Sequence, residues 1–439
     1  MNRSAKVRSA SRSSRMSSLR YAILLVGLAL LIVAVAFGDI ESGFVPEPDD
    51  PAIAYGTRPT TDSIFALNRE IEAGRAKLKF DGEQGYLRSV LEALQIPIES
   101  QIAVFSKTSV QARLIDPHDP RTLFFNDATV VGWVRGGFIE VAAQDPQQGV
   151  IFYTLAQTPV DKPHFKRHDD CLSCHNSNDA AGVPGMLVRS QFTAPNGATM
   201  RWLGSYVSDH RSPLEERWGG WYVTGKSGAI RHMGNAMVTD PDKPESTITE
   251  QTLNLESLHG KFNTDAYLSP YSDIVALMVF EHQMHVMNLF TRIGWQTRAG
   301  LSRHNLDKEA LRESAEELVD YMLFVDEAPL ANTIRGTSGF SEAFSSEGPH
   351  DGKGRSLRQL DLERRLMRYP CSYMIYSDAF DSLPPEAQDA IYARLWQILS
   401  GAEKEPKYSR LSPADRQAVV EILRETKKGL PSYFQSVHE

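Results

Sequence analysis

The longest apolar run in the chain, YAILLVGLALLIVAVAF from Tyr21 to Phe37, carries no charge. As a helix rising 1.5 Å per residue it reaches about 25 Å, near the lower limit for crossing a bilayer. Three- and four-residue spacing of apolar positions returns at Ile64, Leu67, Ile71 and Leu78 and again at Leu87, Val90, Leu91 and Leu94, which predicts helix over 62–96 until Pro97 stops the pattern. From Gln101 to about Thr239 the pattern changes to short runs rich in β-branched and aromatic residues. IAVFS, TVVGWV, FIEVAA and VIFYTLA come first, then MLVRSQFTA, MRWLGSYVS, WGGWYVTG and AIRHM, separated by Asp-Pro, Asn-Asp and Gly-Gly, and they read as strands. From about Ser246 the pattern is helical again, most clearly over 273–292, 308–324, 357–368, 384–399 and 413–427. The last of these opens with Ser412 at the N-cap, Pro413 at the first helical position and Asp415 two residues on, a capping-box-like start. Residues 38–62 hold four prolines with little periodicity and predict an extended linker. The expected fold is α+β: a basic tail (1–20), one N-terminal transmembrane helix (21–37), the linker (38–62), a β-rich region (63–245) and a largely helical C-terminal region (246–439).

Charge adds a direction to this plan. Residues 1–20 carry Arg3, Lys6, Arg8, Arg12, Arg15 and Arg20 and no acid, so the positive-inside rule keeps that end in the cytoplasm and sends the body across the membrane. Removing those six from the 47 basic residues leaves 41 against 55 acids, a net charge of −14. A body that acidic repels nucleic acid, and no basic stripe with interleaved aromatics offsets it. Ala34-Val35-Ala36 has the small-x-small form of a signal-peptidase site, so a cleaved signal is the alternative to an anchor; both export the body.

The chain has three cysteines, and two of them stand three apart in HDDCLSCHNSN, with a histidine directly after the second. Three chemistries use such a spacing. Two thiols can add to the vinyl groups on one porphyrin edge while the next imidazole ligates iron, and cysteines at i and i+3 of a helical turn share the face this needs. A redox-active dithiol uses the same string at the N-terminus of a helix after a strand, where the helix dipole lowers the thiol pKa, but no apolar-periodic helix follows here. A zinc site needs four ligands, and a second CxxC is missing.

Cys171-Leu172-Ser173-Cys174-His175 resembles the covalent attachment site of c-type cytochromes. The resemblance covers these five residues. It implies one haem c, with Cys171 and Cys174 as thioether positions and His175 as the proximal iron ligand. It also implies maturation on the outer side of the cytoplasmic membrane, in keeping with the export signal. The chain departs from small soluble cytochromes c, because its motif follows a run of strands. The implied function is an exported, membrane-anchored monohaem cytochrome that transfers electrons to or from a redox partner protein. The alternatives are a haem enzyme or gas or redox sensor with an open distal site and, behind it, a dithiol protein without haem.

The second axial ligand decides between the first two. The segment Arg231 to Met237 offers His232 and Met233 as first candidates and Met237 as another; Met186, in GVPGML, and His282, in EHQMH, complete the set. Glycines near these ligands let the backbone approach a flat ring. Met residues near glycine also serve as gap fillers, and a histidine on an apolar helix also serves as a hydrogen-bonded core residue. Trp218, Trp221 and Tyr222 could pack on a porphyrin or form core, while Lys162, Lys166 and Arg167 could meet its propionates or be plain surface charges. Cys371 has no disulfide partner if the other two hold haem.

Overall fold

Strands form where the β-branched runs lie, and one sheet gathers most of them. In the computed structural model, which describes residues 45–435, helices α1 (Ser63–Glu72) and α2 (Leu87–Ala93) come first. Strands β1 (Ile102–Val104), β2 (Arg121–Phe125), β3 (Thr129–Trp133), β4 (Ile139–Asp145), β5 (Gly149–Leu155) and β6 (Lys166–Arg167) follow. A single turn of helix, α3 (Leu172–His175), precedes β7 (Asn176–Ser177), β8 (Val183–Pro184), β9 (Val188–Gln191), β10 (Ser205–Ser208) and β11 (Trp221–Tyr222). The helical half consists of α4 (Ile274–Ser302), α5 (Lys308–Met322), α6 (Phe340–Ser346), α7 (Asp378–Asp381), α8 (Pro385–Leu399) and α9 (Pro413–Thr426). The protein is therefore mixed α and β, sheet-rich in its first half and helical in its second.

The main sheet has seven antiparallel-paired strands in the order β11-β1-β2-β3-β4-β5-β6. Its register sorts side chains onto two faces, as period-two alternation requires. Trp221, Ile102, Val104, Leu123, Phe125, Val130, Ala142, Val150 and Phe152 line one face and belong to the same core as the buried residues of α4, α5, α8 and α9. Phe125 meets Phe280 of α4 at 5.0 Å between ring centroids, and Gln144 donates to Thr291 at 3.1 Å. The other face carries Tyr153, whose hydroxyl donates to Asp62 at 2.7 Å, while Asp62 also caps α1 by accepting from Ile64 N and Phe65 N. One carboxylate thus ends a helix and fixes it to the sheet. The result is three layers, with α1 below the sheet and α4 above it. Residues of that first sheet face and of the C-terminal helices share one large core, within the compact unit that runs from Pro46 onward.

Helix α4 is long because its apolar face is nearly continuous and its N-terminus is well capped. Asp273 accepts from Val275 N and Ala276 N with one oxygen and from Thr337 N and Ser338 N with the other. That carboxylate satisfies helix donors and complements the macrodipole. The capping box at Ser412 and Asp415 stands as the sequence predicts, starting α9 at Pro413.

Several elements differ from expectation. Residues 62–96 form two helices separated by turns in which Gly74, Gly82 and Gly85 take positive φ. No α-helix forms over 357–368, because Asp361 accepts from Glu363 N and Arg364 N, a local side-chain turn that competes with helix. Its spaced leucines and methionine still reach the core as a turn, joined by the Leu360–Met367 bridge. AIRHM is irregular rather than a strand, and α4 begins only at Ile274, after turns and short 3₁₀ segments from 246 onward. Arg121–Phe125 is a strand that the pattern did not single out. Over 46–62 the proline-rich stretch is fastened to the body and not extended from it. Tyr55 is buried and donates to Val150 O, Thr61 N donates to Asp145, and Asp50 pairs with Arg303. The expected tail, membrane span and first part of the linker lie outside the described residues. Among the described residues no helix is long and apolar enough to cross a membrane.

Candidate functional site

The cysteine motif leaves the sheet at its β6 edge. His168 N donates to Phe152 O at 2.9 Å, extending the ladder by one bond, and a 3₁₀ turn over Asp169–Cys171 feeds into α3. Ser173 Oγ donates to Asp170 O, and Cys171 and Leu172 pack against the main core. The chain then turns back: β7 pairs with β8 (Asn176 with Pro184, Ser177 with Val183), and Ala181 takes the left-handed conformation between them. The result is a short hairpin held against β5 and α4.

All three cysteines are free thiols. Cys171 is half-buried, and burial, with Glu140 and Asp170 adding to it, pushes its thiol up to about 11; Cys174 is exposed. A redox dithiol needs a thiol lowered toward neutral pH, so a raised Cys171 speaks against that reading. Cys371 is fully buried and pushed up to about 12 by burial.

His175 is held on three sides. Its Nδ1 lies 2.9 Å from Gly185 O, its own carbonyl accepts from Gly185 N at 2.9 Å, and its ring lies 4.8 Å from the Phe152 ring. A carbonyl only accepts, so Nδ1 carries the hydrogen and Nε2 keeps its lone pair. Burial lowers the imidazole pKa, with Gly185 O and Glu140 pulling the other way and Arg121 and Arg189 adding to the fall. The neutral tautomer with a free Nε2 is the metal-ligating form. Beneath the motif, Glu140 is paired with Arg121 at 2.9 Å and accepts from Gln111 and Ser109. Burial raises this carboxyl, but those three partners outweigh it and hold it below its usual value. Two free thiols on one turn beside an oriented neutral imidazole fit a covalently bound haem: Cys171 and Cys174 would hold its edge and His175 Nε2 its iron.

The candidate second ligands are scattered. His232 is buried with its Nδ1 accepting from Gly234 N and its ring against Trp218, and Met233 packs with Phe192, Met200 and Ala236 in a separate small core. Met237 packs against Ala103 and Tyr222, on the sheet face opposite Phe152 and about four strand spacings away, roughly 19 Å along the sheet. His282 is fully buried, with Nδ1 2.9 Å from His210 Nδ1 and Nε2 2.8 Å from Ser372 Oγ, so both ring nitrogens are already engaged. Met186 alone among these candidates is brought to the motif, directly after Gly185 and packed against the same core as Cys171.

Trp218, Trp221 and Tyr222 are core residues, and Trp221 donates to Arg189 O. Arg167 is used by Asp169 and Tyr55 O, and Lys162 by Glu72 O. Gly185, Phe152 and Asn288 were not singled out from the sequence. The available signal was a lone amide in the apolar stretch MHVMNLF of α4. Searches against family models, curated proteins and solved structures found no match to this chain.

Proposed function

We propose that the protein is an exported monohaem c-type cytochrome, bound to the membrane through its N-terminal segment and acting in electron transfer with a protein partner. The observation that carries the reading is the Nδ1 hydrogen bond from His175 to Gly185 O, which leaves Nε2 free beside two unpaired thiols. A haem held there supplies a one-electron iron couple. The chain's own part is to keep His175 neutral and aimed, to shield its ring with Phe152, and to leave Cys174 at the surface. That surface position would put the haem edge near solvent, where a partner can approach.

The placement of the candidate ligands favours a second reading. With His232, Met233, Met237 and His282 engaged elsewhere, the side opposite His175 would be open to a small ligand unless Met186 reaches it. Carbon monoxide distinguishes the two: the Soret band of the reduced protein stays in place with a strong sixth ligand and moves on gas addition with an open one. A pyridine haemochrome assay that finds no haem in matured protein would end both readings.

A further inference from the structure

The peptide unit between Gly185 and Met186 faces two ways. Its carbonyl, on Gly185, accepts from His175 Nδ1; its N–H, on Met186, donates to Asn288 Oδ1 at 3.2 Å. Asn288 Nδ2 also donates to Met186 O at 2.7 Å, so one carboxamide pairs with both backbone groups of one residue, as a neighbouring strand would. Asn288 is 1% exposed, within the buried stretch of α4. A β-carbon on Gly185 would stand 2.1 Å from Asn288 Oδ1, so glycine is what permits this approach. A trans peptide is planar, with C=O and N–H antiparallel, so whatever fixes one end fixes the other. Hydrogen bonds in such a chain also polarise one another.

We infer that Asn288 is a positioning residue for His175: through a single peptide plane, the long helix of the C-terminal half sets the tautomer, direction and basicity of the iron ligand. The inference rests on the haem reading for its redox consequence, but not for its tautomer consequence. An amide that merely pinned the 183–186 segment would leave the imidazole unchanged once the protein folds. A positioning amide changes it.

Two arms test this. In full chain produced without haem, ¹⁵N NMR of His175 reads the tautomer: wild type should show Nδ1–H, and Asn288→Ala should show a mixture with Nε2–H and about tenfold faster exchange of the ring proton. In matured protein, a weaker Nδ1 bond makes the imidazole a poorer donor to ferric iron. A tenfold loss of ferric over ferrous preference raises the midpoint potential by about 59 mV. Asn288→Asp keeps an acceptor for Met186 N–H and should keep the wild-type tautomer; loss of it there as well would overturn the route through that N–H. Asn288→Leu, closer in volume, replaces the alanine variant if the cavity prevents folding. Folded Asn288→Ala with wild-type tautomer, exchange and potential would overturn the inference and leave the haem reading standing. Wild type without covalent haem would overturn that reading, while the NMR arm would still decide the role of Asn288.

Discussion

Replacing His282 with glutamine should remove about one proton from the acid sensitivity of folding. The imidazole is fully buried between Tyr321 and Phe324, and burial pushes its pKa from 6.5 down to about 3, with Asp209 pulling up and His285 pulling down. The folded protein therefore excludes a proton that the unfolded chain binds below pH 6.5. Stability is present above that pH and is lost as the pH falls toward 3, at about 1.4 kcal/mol per pH unit, for a total of about 5 kcal/mol if the core held that far. His232 and His285, each lowered to about 4 by burial, act in the same direction, while Glu281 and Glu327, raised to about 7 by burial, lose stability as the pH rises through 4.5 to 7. All four stay in the variant, as does His210, which burial and His282 hold well below the usual histidine value, so the difference reads His282 together with its coupling to His210 and His285. Loss of the bonds to His210 and Ser372 should lower stability at pH 7.5 by roughly 1–3 kcal/mol. Urea unfolding followed by circular dichroism at half-unit steps from pH 5 to 7.5 gives both numbers. The variant's stability should vary with pH less steeply than wild type by about 1.4 kcal/mol per unit below pH 6. Parallel curves would mean that His282 is hydrated or charged in the fold, and the description of a dry histidine core would be wrong.

Other changes have equally definite outcomes. Arg217→Ala strands Glu281, its partner at 3.1 Å in a fully buried pair, and should cost about 3–5 kcal/mol by urea unfolding, whereas Arg217→Met with Glu281→Leu should recover most of it. Ser412→Ala removes the acceptor for Asp415 N and should cost about 1 kcal/mol, read by the same method. In chain made without haem, a thiol reagent should label exposed Cys174 fast, half-buried Cys171 slowly and Cys371 only on unfolding; fast labelling of Cys371 would contradict its burial. In matured protein, Cys171→Ser with Cys174→Ser should yield no haem that survives denaturing electrophoresis, and each single variant a reduced amount.

Local chemistry was legible in the chain wherever one residue decides it. Ser412 and Asp415 announce a helix start, and the β-branched runs at 129–133, 139–145 and 149–155 found their strands because alternation and short turns leave few other solutions. The same reasoning misread 357–368, where Asp361 offers the backbone closer partners than a helix would. It also took 38–62 for a tether, although in the described part of that stretch Ile53 and Tyr55 are buried and Tyr55 donates to Val150 O. The motif itself is contiguous, so it could be read. The shell around it could not: Gly185 and Asn288 are 103 positions apart and meet only because β8 lies against α4. The second-ligand candidates were chosen by type and by neighbouring glycines, a signal blind to which sheet face and which core each residue joins. That is why Met237 lies on the far face from Phe152.

The central claim is that the thiols of Cys171 and Cys174 are bonded to a porphyrin whose iron is held by His175. Mass spectrometry of the matured, denatured protein tests it most directly. The account predicts an intact mass above that of the mature polypeptide by one haem, with the added mass on the peptide that contains residues 171–175 and lost in the double serine variant. A mass equal to that of the amino acids alone, with both thiols free to alkylate, would contradict it.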